Sequence, residues 1–94
     1  MEANIERAVV AFYDQRGEFA GVFRMRSILK TKLTFSSPTE VRADIEYVFE
    51  CLNAQGTACG GATDGVDKRW YLLRKSSSGT WVGESMGGYM SAEF

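Results

Sequence analysis

Gly83-Glu84-Ser85-Met86-Gly87 has the G-x-S-x-G spacing of a nucleophile elbow, in which a sharp strand-to-helix turn offers a serine hydroxyl to a histidine base. The chain of 94 residues contains no histidine. That absence removes the base this serine would need, and with it Cys–His pairs, histidine acid/base chemistry and histidine metal ligands. Gly60 and Gly65 stand as far apart as the glycines of a phosphate-binding loop. Val66 and Asp67 follow them where Lys and Ser or Thr would be needed, so the segment reads as a plain loop. Cys51 and Cys59 are the only cysteines, too few ligands for a metal site without histidine. Two states stay open for them. One is a disulfide closing a short loop, worth about 2–3 kcal/mol in an oxidising compartment. The other is a pair of thiols with Cys51 buried as a small apolar side chain. An acid/base pair on the sheet is the remaining enzymatic route. Alternation turns Asp44, Glu46 and Glu50 outward and Tyr47 inward, and Glu84 faces inward only in one of two orientations of the last hairpin. No catalytic residue, metal or cofactor is assigned.

The composition is that of one ordinary domain: 45% of residues are apolar, 24% are charged, and the formal net charge is −1. A chain of this size buries only about 60–70% of its unfolded surface, enough for a single core, so residues 1–94 are read as one domain. Without a basic excess there is nothing to neutralise phosphates, so no nucleic-acid partner is expected. No apolar run approaches the ~20 residues that cross a bilayer, and no membrane partner is expected either. The N-terminal MEANIERA carries acids and no apolar h-region, which points to the cytoplasm; an exported chain whose signal has been removed is the alternative.

Residues 3–17 predict a helix, because Ile5, Ala8, Val9, Phe12 and Tyr13 form one stripe at the helical period, with Asn4 as N-cap and Gly17 as C-terminal cap. From Val22 the period becomes two. Strands are predicted at 22–35 and 41–52, joined by a turn at Ser36–Glu40. A Gly/Ala/Thr-rich loop fills 53–66. Two further strands, 67–75 and 80–86, flank a Ser76–Gly79 turn. The fold class is therefore α+β: one N-terminal amphipathic helix packed on a four-stranded antiparallel meander.

The first hairpin can be registered from charge alone. With Phe35 opposite Val41, Lys32 faces Asp44, Lys30 faces Glu46 and Arg26 faces Glu50 on one face. On the other face Leu33 meets Ala43, Thr31 meets Ile45, Leu29 meets Tyr47 and Ser27 meets Phe49. A one-residue slip would bury half of the charges. In strands 67–75 and 80–86, Trp70, Leu72 and Trp81 are read as facing the helix, with Tyr71, Leu73 and Val82 as the competing choice.

The order of these elements, from the helix IERAVVAFYDQRG to the closing RWYLLRKSSSGTWVGE hairpin, resembles the cystatin-like superfold, including short members of the nuclear transport factor two-like group. The resemblance spans roughly residues 3–86. It implies the same helix-on-sheet fold and leaves function open, because the superfold hosts isomerases, dehydratases, protease inhibitors, secretion-system parts and dimeric binding modules. The chain has room for only one helix, where enzymes of the group use several to close a pocket. Gln55-Gly56-Thr57-Ala58-Cys59-Gly60 lacks the valine of the inhibitors' Gln-x-Val-x-Gly loop.

Two functions follow as expectations. The first is a non-catalytic binding or assembly module, a homodimer formed through the sheet face turned away from the helix. Ile28, Val48, Leu52, Tyr71 and Leu73 would be its apolar contacts, Ile28 lying opposite Val48. The second is a domain that binds a small apolar ligand, open to enzymatic use, in a cavity lined by Phe12, Tyr13, Phe23, Met25, Tyr47, Phe49 and Trp81.

Overall fold

The apolar stripe of the N-terminal segment folds as helix α1, Glu2–Gln15, which buries Ile5, Val9 and Tyr13 against a sheet. The structure is a computed structural model that describes residues 2–15, 23–52 and 64–88. The loop predicted at 53–66 lies mostly outside these residues, and Gly17 lies outside them. The sheet has four strands: β1 (Phe23–Ser37), β2 (Glu40–Cys51), β3 (Asp64–Lys75) and β4 (Trp81–Gly88). They pair antiparallel in the order β1-β2-β3-β4. The α+β meander under one helix is thus the observed fold. No helix among the described residues is long and apolar enough to cross a membrane. Asn4 is not an N-cap: the helix begins before it, and its side chain accepts a hydrogen bond from Arg7 at 3.2 Å.

The first hairpin is tighter than predicted, because pairing continues to Ser37 and Glu40 and leaves Pro38 and Thr39 as the turn. Its register holds from Phe35↔Val41 through Lys30↔Glu46 and then departs from the prediction. Shifts between Ile28 and Lys30, and between Met25 and Ser27, make Leu29 and Arg26 bulge residues. Each bulge reverses the strand's parity. Phe23 and Met25 face the helix, Ile28 does so after one extra residue, and Thr31 and Leu33 do so after the second. Ile28 therefore lies opposite Tyr47 and packs on the core, while Ser27 and Leu29 are exposed. The ion pair predicted for Arg26 is made by Arg24 with Glu50 at 2.8 Å.

The helix is pinned to edge strand β1 at two points. Thr31 Oγ1 donates to Glu6 at 2.7 Å, and the Met25 N–H, beside a bulge, donates to Asp14 at 3.1 Å. The second hairpin turns at Ser76–Thr80. There the Ser76 N–H donates to the Thr80 carbonyl at 2.8 Å, and Gly79 takes the left-handed φ of 87° that a side chain would disfavour.

On β3 the competing orientation is the observed one. Tyr71 and Leu73 are buried in the core, and Trp70 and Leu72 lie on the face away from the helix. Trp81 faces the helix as predicted, 7% exposed. A shift at Glu84 returns Met86 to the core side, opposite Tyr71. The core joins Ile5, Val9 and Tyr13 to Met25, Ile45, Tyr47, Tyr71 and Leu73.

Candidate functional site

Two places carry chemistry. The first lies between the C-terminal half of α1 and the sheet, where Tyr13, Tyr47 and Tyr71 are all buried. The alternating burial of β2 aims Tyr47 inward, and its hydroxyl accepts from Arg69 Nε at 3.0 Å. It also faces Asp67 Oδ2 at 3.4 Å, and Asp67 Oδ2 lies 3.3 Å from Arg69 Nε. The Tyr13 and Tyr47 rings meet edge to face at 5.2 Å, and Phe23 and Phe49 do the same at 5.4 Å. The Tyr71 hydroxyl, fully buried, has no hydrogen-bond partner among the described residues. Burial pushes the phenols of Tyr13, Tyr47 and Tyr71 above their ordinary range, most of all Tyr47. Burial works against the charge of Arg69, yet the hydroxyl of Tyr47 and the carboxylate of Asp67 hold it more firmly protonated.

This cluster is poor acid/base machinery. Phenols held protonated cannot act as bases near neutral pH, and the one cation present is matched by the one carboxylate. The pocket lined by Tyr13, Phe23, Phe49, Asp67 and Arg69 has a volume of ≈ 90 Å³. Of the seven residues predicted to line a ligand cavity, Tyr13, Phe23 and Phe49 line this pocket. Met25 and Tyr47 belong to the core beside it. Phe12 and Trp81 stand apart, along the groove between α1 and β4. Asp67 and Arg69 were missed because the sequence pattern gave them no more than a place at the start of a strand.

The second place is the sheet face that the helix leaves uncovered. Trp70 lies over Gly87, where a Cβ would collide with the indole, and the Arg42 guanidinium stacks 5.7 Å from its centre. Arg42 Nε also donates to Asp44 at 3.1 Å, and Asp44 is 8% exposed on this otherwise open face. Beside Trp70 stand Leu72, opposite Arg42, and Val82, opposite Arg74. Leu72 is 40% and Val82 51% exposed. Arg74 closes one end of the face, holding Glu40 at 3.1 Å and Glu84 at 3.0 Å. Lys68 approaches Glu46 at 3.9 Å further along, and the exposed Val66 sits opposite Val48 beyond them.

The predicted interface set is corrected by this geometry. Ile28, Tyr71 and Leu73 face the core: bulges turn Ile28 inward, and the β3 orientation buries the other two. Val48 stays on the uncovered face, and Leu52 is exposed just past the end of β2. Trp70, Leu72 and Val82 take the place of the residues lost.

Ser85 lies within β4, which continues through Gly88, so the nucleophile-elbow turn is absent there. Glu84 pairs with Arg74 outside the core. No group of metal-ligating side chains occurs among the described residues. Cys51 is disulfide-bonded; Cys59, the chain's other cysteine, lies outside the described residues. No family model matches the chain, and neither a curated protein nor a solved structure matches it.

Proposed function

We propose that the domain is a non-catalytic assembly module that works as a homodimer through the uncovered face of its sheet. The observation that carries this reading is Trp70, set at the centre of that face beside exposed Leu72 and Val82, with charged side chains around them. An apolar centre with a charged rim is the anatomy of a protein interface, and tryptophan and arginine are the residues that dominate binding energy in such centres. The rim carries both signs: Lys30, Lys32, Arg42, Lys68 and Arg74 against Glu40, Asp44, Glu46 and Glu84. A two-fold interface must complement itself, and a face of mixed sign can meet its own copy with acids on bases.

The helix-on-meander order supports the likeness to cystatin-like dimeric modules, as an analogy of fold alone. The disulfide at Cys51 favours an oxidising compartment, so the exported alternative is preferred to the cytoplasmic one. The reading as a small-ligand site has less behind it. A pocket of ≈ 90 Å³ between helix and sheet is well below the roughly 300–1,000 Å³ of usual ligand sites.

Charge insertion tests the proposal. Leu72→Lys and Val82→Lys lie on an exposed face and should leave the fold intact by circular dichroism. Each should weaken self-association at least about ten-fold in sedimentation equilibrium. Self-association unchanged in both variants would remove this face as the interface.

A further inference from the structure

The two edges of the sheet are built differently. β1 carries Arg24, Arg26, Lys30 and Lys32, is broken by bulges at Arg26 and Leu29, and gives the Met25 N–H to Asp14. Charges, bulges and side-chain cover are the usual defences against pairing with another chain. β4, at the opposite edge, holds no Lys, Arg or Pro, and its first residues, Trp81 to Gly83, precede its one register shift at Glu84. No described strand pairs with its outer edge.

Beside that edge runs a groove. One wall is α1 and the other is the start of β4. The groove measures ≈ 530 Å³ where Asn4, Arg7, Ala8 and Ala11 face Trp81. It continues as a further ≈ 230 Å³ past Phe12 to Gly83. Alanines at 8 and 11 keep the helix wall low, and Phe12 packed on Gly83 marks its far end. From Asn4 to Gln15 the helix axis advances about 16 Å at about 1.5 Å per residue, the length of about five extended residues. Lys75 Nζ stands at the groove's margin, 5.9 Å from the centre of the Trp81 ring, and the one charged residue among the described groove-lining residues is Arg7. It is exposed, its guanidinium touches only Asn4 Oδ1 at 3.2 Å, and no carboxylate among the described residues pairs with it.

We propose that this groove binds an extended segment of a partner protein, which adds a fifth strand at β4 and sets an acidic side chain on Arg7. Main-chain hydrogen bonds to the β4 edge supply affinity in such strand addition, and alternate side chains in the groove supply selectivity. A second copy of β4 fits less well. Its only acid is Glu84, which Arg74 already holds at 3.0 Å, so it brings Arg7 no unpaired carboxylate. The groove lies on the helix side of β4 and meets the uncovered sheet face only at Val82, and neither proposal depends on the other.

Selection of a phage-displayed library of random short peptides against the intact, oxidised chain is the test. Enriched peptides should be rich in β-formers with one Asp or Glu near an end. Titrated as synthetic peptides, they should shift backbone amide signals of Thr80–Glu84 in NMR spectra. Arg7→Glu should weaken them at least about ten-fold, and exchanging the peptide's acid for Lys should restore binding to that variant. Ala11→Trp, at an exposed helix position, should block the groove without unfolding the domain. Three results would overturn the proposal: no enrichment, enriched peptides whose binding ignores both Arg7→Glu and Ala11→Trp, or self-association that Ala11→Trp abolishes and Leu72→Lys leaves unchanged, which would make the occupant a second copy.

Discussion

Tyr47 and Tyr71 bring the same hydroxyl into the same core, and only one of the two is satisfied. Tyr47 accepts from Arg69 at 3.0 Å, whereas the Tyr71 hydroxyl has no partner among the described residues. Their phenylalanine variants should therefore diverge. Tyr47→Phe strips a partly buried guanidinium of its acceptor and should cost about 1–3 kcal/mol in urea unfolding. Tyr71→Phe removes an orphaned polar atom at constant shape and should be neutral or stabilising by up to about 1 kcal/mol. Equal losses in both would show that Tyr71 has a partner after all. The same residues set the alkaline limit of the fold. Tyr13, Tyr47 and Tyr71 have native pKa values above the ordinary 10.0, so the native state keeps protons that the unfolded chain releases. Their contribution is fully present below pH 10 and falls as pH rises past it. Their tyrosinate absorbance should then appear together with the loss of circular dichroism, not ahead of it. Tyr47's inward aim was legible, because strict alternation from Val41 to Cys51 leaves one choice. Tyr71's was not: Trp70-Tyr71-Leu72-Leu73 is apolar at both parities, so period two offers no face to prefer.

Among the elements, β1 and β4 repay attention because each departs from straight alternation. Charge pairing located the hairpin register correctly from Phe35 to Lys30, since a slip there would bury lysines. It failed from Leu29 onward, because Ile28 and Leu29 are both apolar and either could face inward. Ser27 assigned to a buried position was the one warning in the sequence. In β4 two glycines answer different neighbours. A Cβ on Gly83 would sit 2.5 Å from Phe12 Cγ, inside the helix–sheet contact. Gly83→Ala should therefore cost about 1–3 kcal/mol, although Gly→Ala in an uncrowded strand gains stability. On Gly87 the Cβ would strike the Trp70 indole, which is half-buried on the uncovered face and not in the core. Gly87→Ala should change monomer stability by less than about 1 kcal/mol yet weaken self-association, because it displaces the side chain at the centre of the proposed interface. A matched loss of stability in both variants would place Trp70 in the fold's core economy and not at an interface.

For the molecule as a whole, one helix covers one face of a four-stranded sheet, and a domain this small has little stability to spare. The disulfide at Cys51 compensates in part. A bond to the chain's other cysteine, Cys59, would close a loop of under ten residues and restrict the unfolded chain by about 2–3 kcal/mol, so dithiothreitol should lower the unfolding free energy by about that amount while leaving the native circular dichroism unchanged. Unchanged stability on reduction would mean that the bond does not form in solution. The helix, the four strands and their order could be read from periodicity. The identity of the open face could not, since it is decided by β-bulges and by a half-hairpin that is apolar on both sides. That face is the surface through which the chain is proposed to pair with itself. Sedimentation equilibrium of the unmodified, oxidised chain over low to high micromolar concentrations tests it most directly. The mass should rise to twice that of the 10.5 kDa chain. A monomer's mass at every concentration would contradict it.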